Sequence, residues 1–252
     1  MFHSLPLDML NLCVDYLHHE RTALKACCLV SKSWVPWSRR HLFARIEFTH
    51  DIPFKSWVEA FPNPLISPAH HTRTLKIQGR CAIATPGVHV GRWVRAFHNI
   101  VCLHISNHSL IPFQGLSPTV RSLRLELTHA RPSKVFNLMC SFPLLEDFAL
   151  VAHGYETEDN GWTTPSTSPG LNGSLELRSL AGTSPFTRRL LDLPNGLNFT
   201  KIVLSCTKEA YFNLVTDLAS ECRDTLESLY FINHLPRELL RPRTRSIPYH
   251  HT

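Results

Sequence analysis

The chain lacks any run of ~18 apolar residues, so no helical membrane span is expected. Glycine is scarce, ten residues against eighteen prolines, which points to many short elements separated by stiff corners. Charged residues make up only 18%, a composition that argues against wholesale disorder. No Gly-x-Ser-x-Gly nucleophile elbow, phosphate loop, dinucleotide fingerprint or His-Glu-x-x-His is present. No catalytic residue and no cofactor is therefore expected, and binding is favoured over catalysis. No secretory signal is expected either. Met1 is followed almost at once by Ser4-Leu5-Pro6 and an amphipathic segment carrying Asp8 and Asp15. The expected compartment is the cytoplasm, the nucleus, or both.

What is present is a 252-residue chain with 43% hydrophobic residues, enough for a sizeable core. The formal net charge of +6 is scattered, and runs such as Arg39-Arg40 and Arg188-Arg189 are short. A nucleic-acid binder should show a basic stripe interleaved with aromatics, so these charges read as solvated surface. The eight cysteines mostly sit inside apolar patterns and read as reduced, small hydrophobes. Asn107, Asn172 and Asn198 open glycosylation sequons that read as chance matches without a secretory route. Sixteen histidines invite a metal hypothesis. The tightest group, Cys102, His104 and His108, has no fourth ligand, and a structural zinc site needs four.

The first fifty residues read as three short helices. Pro6 and Asp8 suit the first turn of one, with Ser4 as its cap. Met9, Leu10, Cys13, Val14 and Leu17 recur at helical spacing. Thr22 can cap a second helix with Leu24, Cys27, Cys28, Ser31 and Trp34 on one side. Pro36 permits a third, with Leu42, Phe43 and Ile46 at helical spacing. So small a unit needs a metal, a disulfide, a partner or the rest of the chain to complete its core.

These residues resemble the F-box motif, in the form common in mushroom-forming fungi. Leu5-Pro6-Leu7-Asp8-Met9-Leu10, then Tyr16-Leu17, Leu24 and Cys28-Leu29-Val30-Ser31-Lys32-Ser33-Trp34 stand in that family's order and spacing. Asp8 replaces the family's usual Glu, and Cys13 stands where a larger aliphatic is common. The resemblance implies docking to a Skp-type adaptor and, through it, to a cullin scaffold. Leu5 and Pro6 would face the adaptor, and Leu10, Val14, Leu17 and Leu24 would fill the shared apolar surface. Val30 and Trp34 would lock the helices together or touch the adaptor.

From residue 70 a second pattern returns: an apolar residue, another three later, and a third two after that. Ile100, Leu103 and Ile105 show it, as do Val120, Leu123 and Leu125, and Leu145, Phe148 and Leu150. Phe199, Ile202 and Leu204 repeat it, as do Leu226, Leu229 and Phe231. Thr72, Leu75 and Ile77 form a weaker copy, and Leu177 and Leu180 hint at another, centred on residue 180. The last two positions of each copy suit a strand burying one face. Val135, Phe136 and Met139, with Ser133 as cap, and Leu214, Val215 and Leu218 suit helices between copies. The pattern resembles leucine-rich repeats, although Asn107, Cys206 and Asn233 fall one residue before the family's Asn or Cys position.

The expected fold class is α+β: an F-box over 1–50, a linker over 51–69, and an irregular α/β leucine-rich-repeat-like solenoid over 70–235. A compact sheet-and-helix domain is the alternative for the body. A loop insertion is expected over 153–174 and a basic, frayed tail over 236–252. Trp162, within the loop, reads either as a target contact or as a ring tucked onto the body. The expected function is that of a non-catalytic substrate receptor of a ubiquitin ligase, with an unknown target protein. The alternative is a repeat-based scaffold without ligase association. A membrane partner is not expected, and nucleic acid ranks below both protein readings.

Overall fold

A computed structural model describes residues 6–49, 51–79, 90–107, 110–114, 116, 118–129, 131–154, 161–162, 169–178, 184–206 and 212–233. Three helices open the chain: α1 (Leu7–Tyr16), α2 (Arg21–Val30) and α3 (Val35–Leu42). Strands and helices then alternate: β1 (Arg45–Phe48), α4 (Asp51–Ala60), β2 (Thr74–Gln78), α5 (Val90–Ala96) and β3 (Cys102–Ser106). After them come β4 (Ser122–Leu127), α6 (Pro132–Cys140), β5 (Asp147–Ala152), β6 (Ser174–Arg178), α7 (Ser184–Leu191), β7 (Lys201–Cys206), α8 (Phe212–Glu221) and β8 (Ser228–Asn233). The molecule is thus mixed helix and sheet, with one eight-stranded sheet. Its strand order follows the chain, and every adjacent pair is parallel.

Parallel register stacks the apolar pattern into two columns. Ile46, Leu75, Leu103, Leu123, Phe148, Leu175, Ile202 and Leu229 align in one; the residues two further along align in the other. Both columns are buried from β1 to β7. They join Val135, Phe136, Phe186, Leu190, Val215 and Leu218 of α6, α7 and α8 in a single core. The alternate strand residues face away and are more polar. A sheet covered on one face shows this alternation; one covered on both faces shows continuous apolar runs.

The corner before most strands is built alike. Two successive N–H groups donate to one carbonyl of the preceding corner: Val101 and Cys102 to Arg73, Arg121 and Ser122 to Val101, Glu227 and Ser228 to Thr200. The threonines add side-chain bonds, Thr119 Oγ1 to the Ile100 carbonyl at 2.8 Å and Thr225 Oγ1 to the Phe199 carbonyl at 3.2 Å.

Three sequence expectations need correction. Ile46 lies on β1, because α3 stops at Leu42 and the sheet begins inside the span assigned to the helical unit. The 51–69 stretch is not a bare linker: it holds α4 and two short 3-10 helices, Pro64–Ile66 and Pro68–His71. The repeat placed at residue 180 is centred on Leu175, with Leu177 beside Leu150. Leu180 lies outside the described residues. The corner there holds one extra residue. Leu171, at φ 34°, takes the place filled elsewhere three positions before the strand centre.

Candidate functional site

α1 begins at Pro6, whose carbonyl accepts from Met9 and Leu10 N–H, and Asp8 complements the positive end of the helix. No side-chain cap is formed, and Ser4 lies outside the described residues. α2 starts after Glu20 without a side-chain cap, so Thr22 lies inside the helix. α3 carries Pro36 in its first turn and packs on α2, on α1 and on the 3-10 helix Pro68–His71. It therefore joins the helical unit to the sheet.

The small core of this unit is Val14, Leu24 and Leu42, with Leu17, Cys28, Trp34, Trp37 and Phe43 packed around it. Asp15 of α1 and His41 of α3 are joined by a hydrogen bond of 2.6 Å between Oδ1 and Nε2. Burial holds the His71 imidazole below its ordinary value, and the neighbouring His70, Arg40 and Arg39 push the same way.

The expected adaptor residues divide into three groups. Val14 and Leu24, expected on the surface shared with the adaptor, are internal in the chain alone, at 1% and 0% exposure. Leu10, Leu17 and Trp34 are half-buried, while Pro6 and Val30 are exposed. Leu5 lies outside the described residues.

The open apolar surface belongs largely to residues that the resemblance did not assign to the adaptor. Met9, Leu12 and Tyr16 of α1 are 54%, 68% and 88% exposed, and Leu29 at the end of α2 is 89% exposed. Met9, Leu12, Cys13, Tyr16 and Leu17 line an open groove of about 420 Å³. The signal was present in the sequence. Residues 9, 12, 13 and 16 form a second helical stripe beside 10, 14 and 17. A helix apolar on two sides fits between two surfaces, and α3 supplies one.

Trp162 is half-buried on the helix-covered side. Its ring lies 5.8 Å from Phe136, and the Arg189 guanidinium sits 5.4 Å from its centroid. The ring is thus tucked against the body with part of its surface still open. Cys102 and His104 share the uncovered face of β3, whereas His108 lies outside the described residues. Among the described residues no group of three His, Cys, Asp or Glu side chains is placed to hold a metal ion. None of the described helices is long and apolar enough to cross a membrane.

The uncovered sheet face carries a linked set of charges. Lys76 pairs with Glu47 at 2.8 Å. Arg124 bonds Glu126 at 2.9 Å and reaches past Ala149 of β5 to Glu176 at 3.2 Å, and Arg178 also bonds Glu176. His104 Nε2 lies 3.4 Å from Glu126 without an aligned hydrogen bond. Burial lowers the His104 pKa, an effect Glu126 opposes and Arg124 and Lys76 reinforce. These charges largely neutralise one another and present no single-sign stripe.

No protein-family model, curated protein or solved structure matches the chain.

Proposed function

We propose that the chain is the substrate-receptor subunit of a Skp–cullin–F-box ubiquitin ligase. α1 to α3 serve as the F-box that docks a Skp-type adaptor, which links to the cullin scaffold. The sheet and its crossover helices serve as a degenerate leucine-rich-repeat-like solenoid that holds the target protein. Its contribution is proximity: the target is held near a charged ubiquitin carrier supplied by other subunits, and this chain supplies no catalytic group.

The observation that carries this reading is the apolar outer face of α1, which the described residues leave uncovered. Isolated exposed leucines are ordinary, but a contiguous apolar face marks an interaction site. Fully covering a side chain of this size contributes about 1.5–3 kcal/mol. Met9, Leu12 and Tyr16 together offer enough to offset part of the cost of association. A repeat-based scaffold without ligase association is the second reading. It is favoured by the burial of Val14 and Leu24, which the family resemblance had placed on the adaptor.

Co-purification with a Skp-type adaptor separates the two readings. Leu12→Glu should abolish capture and Pro6→Ala should weaken it, both with the fold retained by circular dichroism. A wild-type chain that ignores the adaptor would leave only the scaffold.

A further inference from the structure

α1 has two apolar stripes, and burial alone does not choose between them. Val14 and Leu17 pack in the small core with the half-buried Leu10 on the same stripe, while Met9, Leu12, Cys13 and Tyr16 face outward. At 3.6 residues per turn the stripes lie about a third of a turn apart. Rolling α1 by that angle would exchange them, burying the groove residues and exposing Val14. A ten-residue helix has little stability of its own and takes its orientation from what it packs on.

The geometry points to the Asp15–His41 hydrogen bond as the rotational lock of α1, the contact that keeps the apolar groove facing outward. Asp15 lies on neither stripe. It meets His41 of α3 at 2.6 Å, with the His41 side chain 20% exposed and that of Asp15 46% exposed. A rolled α1 carries Asp15 away from His41 and breaks a directional, partly desolvated bond. Van der Waals contacts among similar aliphatic side chains offer no such discrimination. One polar pair among apolar contacts fixes register in this way in helical assemblies. Asp15 and His41 are thus positioning residues for the docking face. The consequence for adaptor binding rests on the proposed ligase reading; the orientation of α1 does not.

Cys13 reports the orientation, because it is exposed on the outer stripe. The full chain is labelled with a maleimide under native conditions, and modification of the Cys13 peptide is timed by mass spectrometry. Asp15→Ala, left with two stripes that burial does not rank, should slow Cys13 labelling about twofold, and Asp15→Asn, which keeps an acceptor oxygen, should stay near wild type. Adding Leu12→Glu to Asp15→Ala makes the outer stripe polar and should restore fast labelling. Unchanged labelling in Asp15→Ala overturns the lock. Faster labelling means α1 has unravelled, and slow labelling that Leu12→Glu does not restore means damage elsewhere; either result overturns it too. Adaptor capture is measured in parallel. If wild type captures none but labelling follows the expected order, the ligase reading fails and the lock stands.

Discussion

Asp147 and Gly173 form the tightest single contact among the described glycines. Asp147 Oδ1 accepts from both the N–H and the hydroxyl of Ser174, at 2.7 Å each. A Cβ on Gly173 would stand 2.5 Å from that same oxygen and 3.1 Å from the Glu146 carbonyl. At this corner Gly173 N–H keeps the backbone bond to the Glu146 carbonyl while the Asp147 carboxylate takes the Ser174 N–H, and the glycine makes room for the carboxylate. Gly173→Ala should therefore destabilise the protein by about 1–3 kcal/mol in urea unfolding, the cost of displacing a partly buried hydrogen-bonding group. In an Asp147→Ala background the same glycine change should cost less. Equal costs in both backgrounds would mean that the carboxylate is not what the glycine accommodates. Asn107 plays a related part at the opposite end of the strands. At φ 52° it accepts from Thr128 N–H and Oγ1, both at 2.8 Å, and so links the ends of β3 and β4.

Among the elements, the strands were the most legible in the sequence. An apolar residue, a second three later and a third two after that named the inward side chains of β2, β3, β4, β5 and β7, and on β8 the aligned but exposed Leu229 and Phe231, because corner and strand each impose one spacing. β6 was mis-phased because the extra corner residue spreads Leu171 and Leu175 four apart. β1 was missed because Leu42, Phe43 and Ile46 also fit a helix, and the helix propensity of so short a segment says little against pairing with β2. The helical unit was legible as three helices, but its docking face was not. Periodicity places Leu10 and Met9 on an apolar surface without saying which stripe meets α3. Burial also ranks the aromatic truncations. Phe148 is 1% exposed within the sheet core, so Phe148→Ala should cost about 3–5 kcal/mol. Trp34 is only half-buried, so Trp34→Ala should cost roughly half as much in the same denaturation assay. A larger loss at Trp34 would place more of the fold's stability in the helical unit than its small core supports.

At the scale of the whole molecule, the sheet is held on its two faces by different forces. The covered face is a continuous apolar core, insensitive to pH. Its cysteines follow suit: burial raises the Cys140 thiol to about 12. The uncovered face depends on charge, and its network runs across strands that are distant in sequence, from His104 through Glu126 and Arg124 to Glu176. Burial alone would raise the Glu126 pKa, but the Arg124 hydrogen bond and the charges of His104 and Arg124 bring it below 4.5. His104 is held below 6.5, chiefly by burial. For a histidine lowered in the fold, the unfolded chain takes up the proton first as pH falls. Its stabilising share is full above about 6.5 and is lost as pH falls from there towards the folded value. The Glu126 share is present above 4.5 and is lost only at still lower pH. Two separate losses on acidification are expected, the first shared by His104 and His71, whose pKa values burial lowers alike. Urea unfolding of wild type and His104→Gln at pH 7.5 and pH 5.5 isolates the His104 share, because His71 is present in both proteins. The wild type should lose more stability than the variant over this interval. An equal loss would show that the imidazole between Lys76 and Arg124 takes up its proton as readily in the fold as in the unfolded chain.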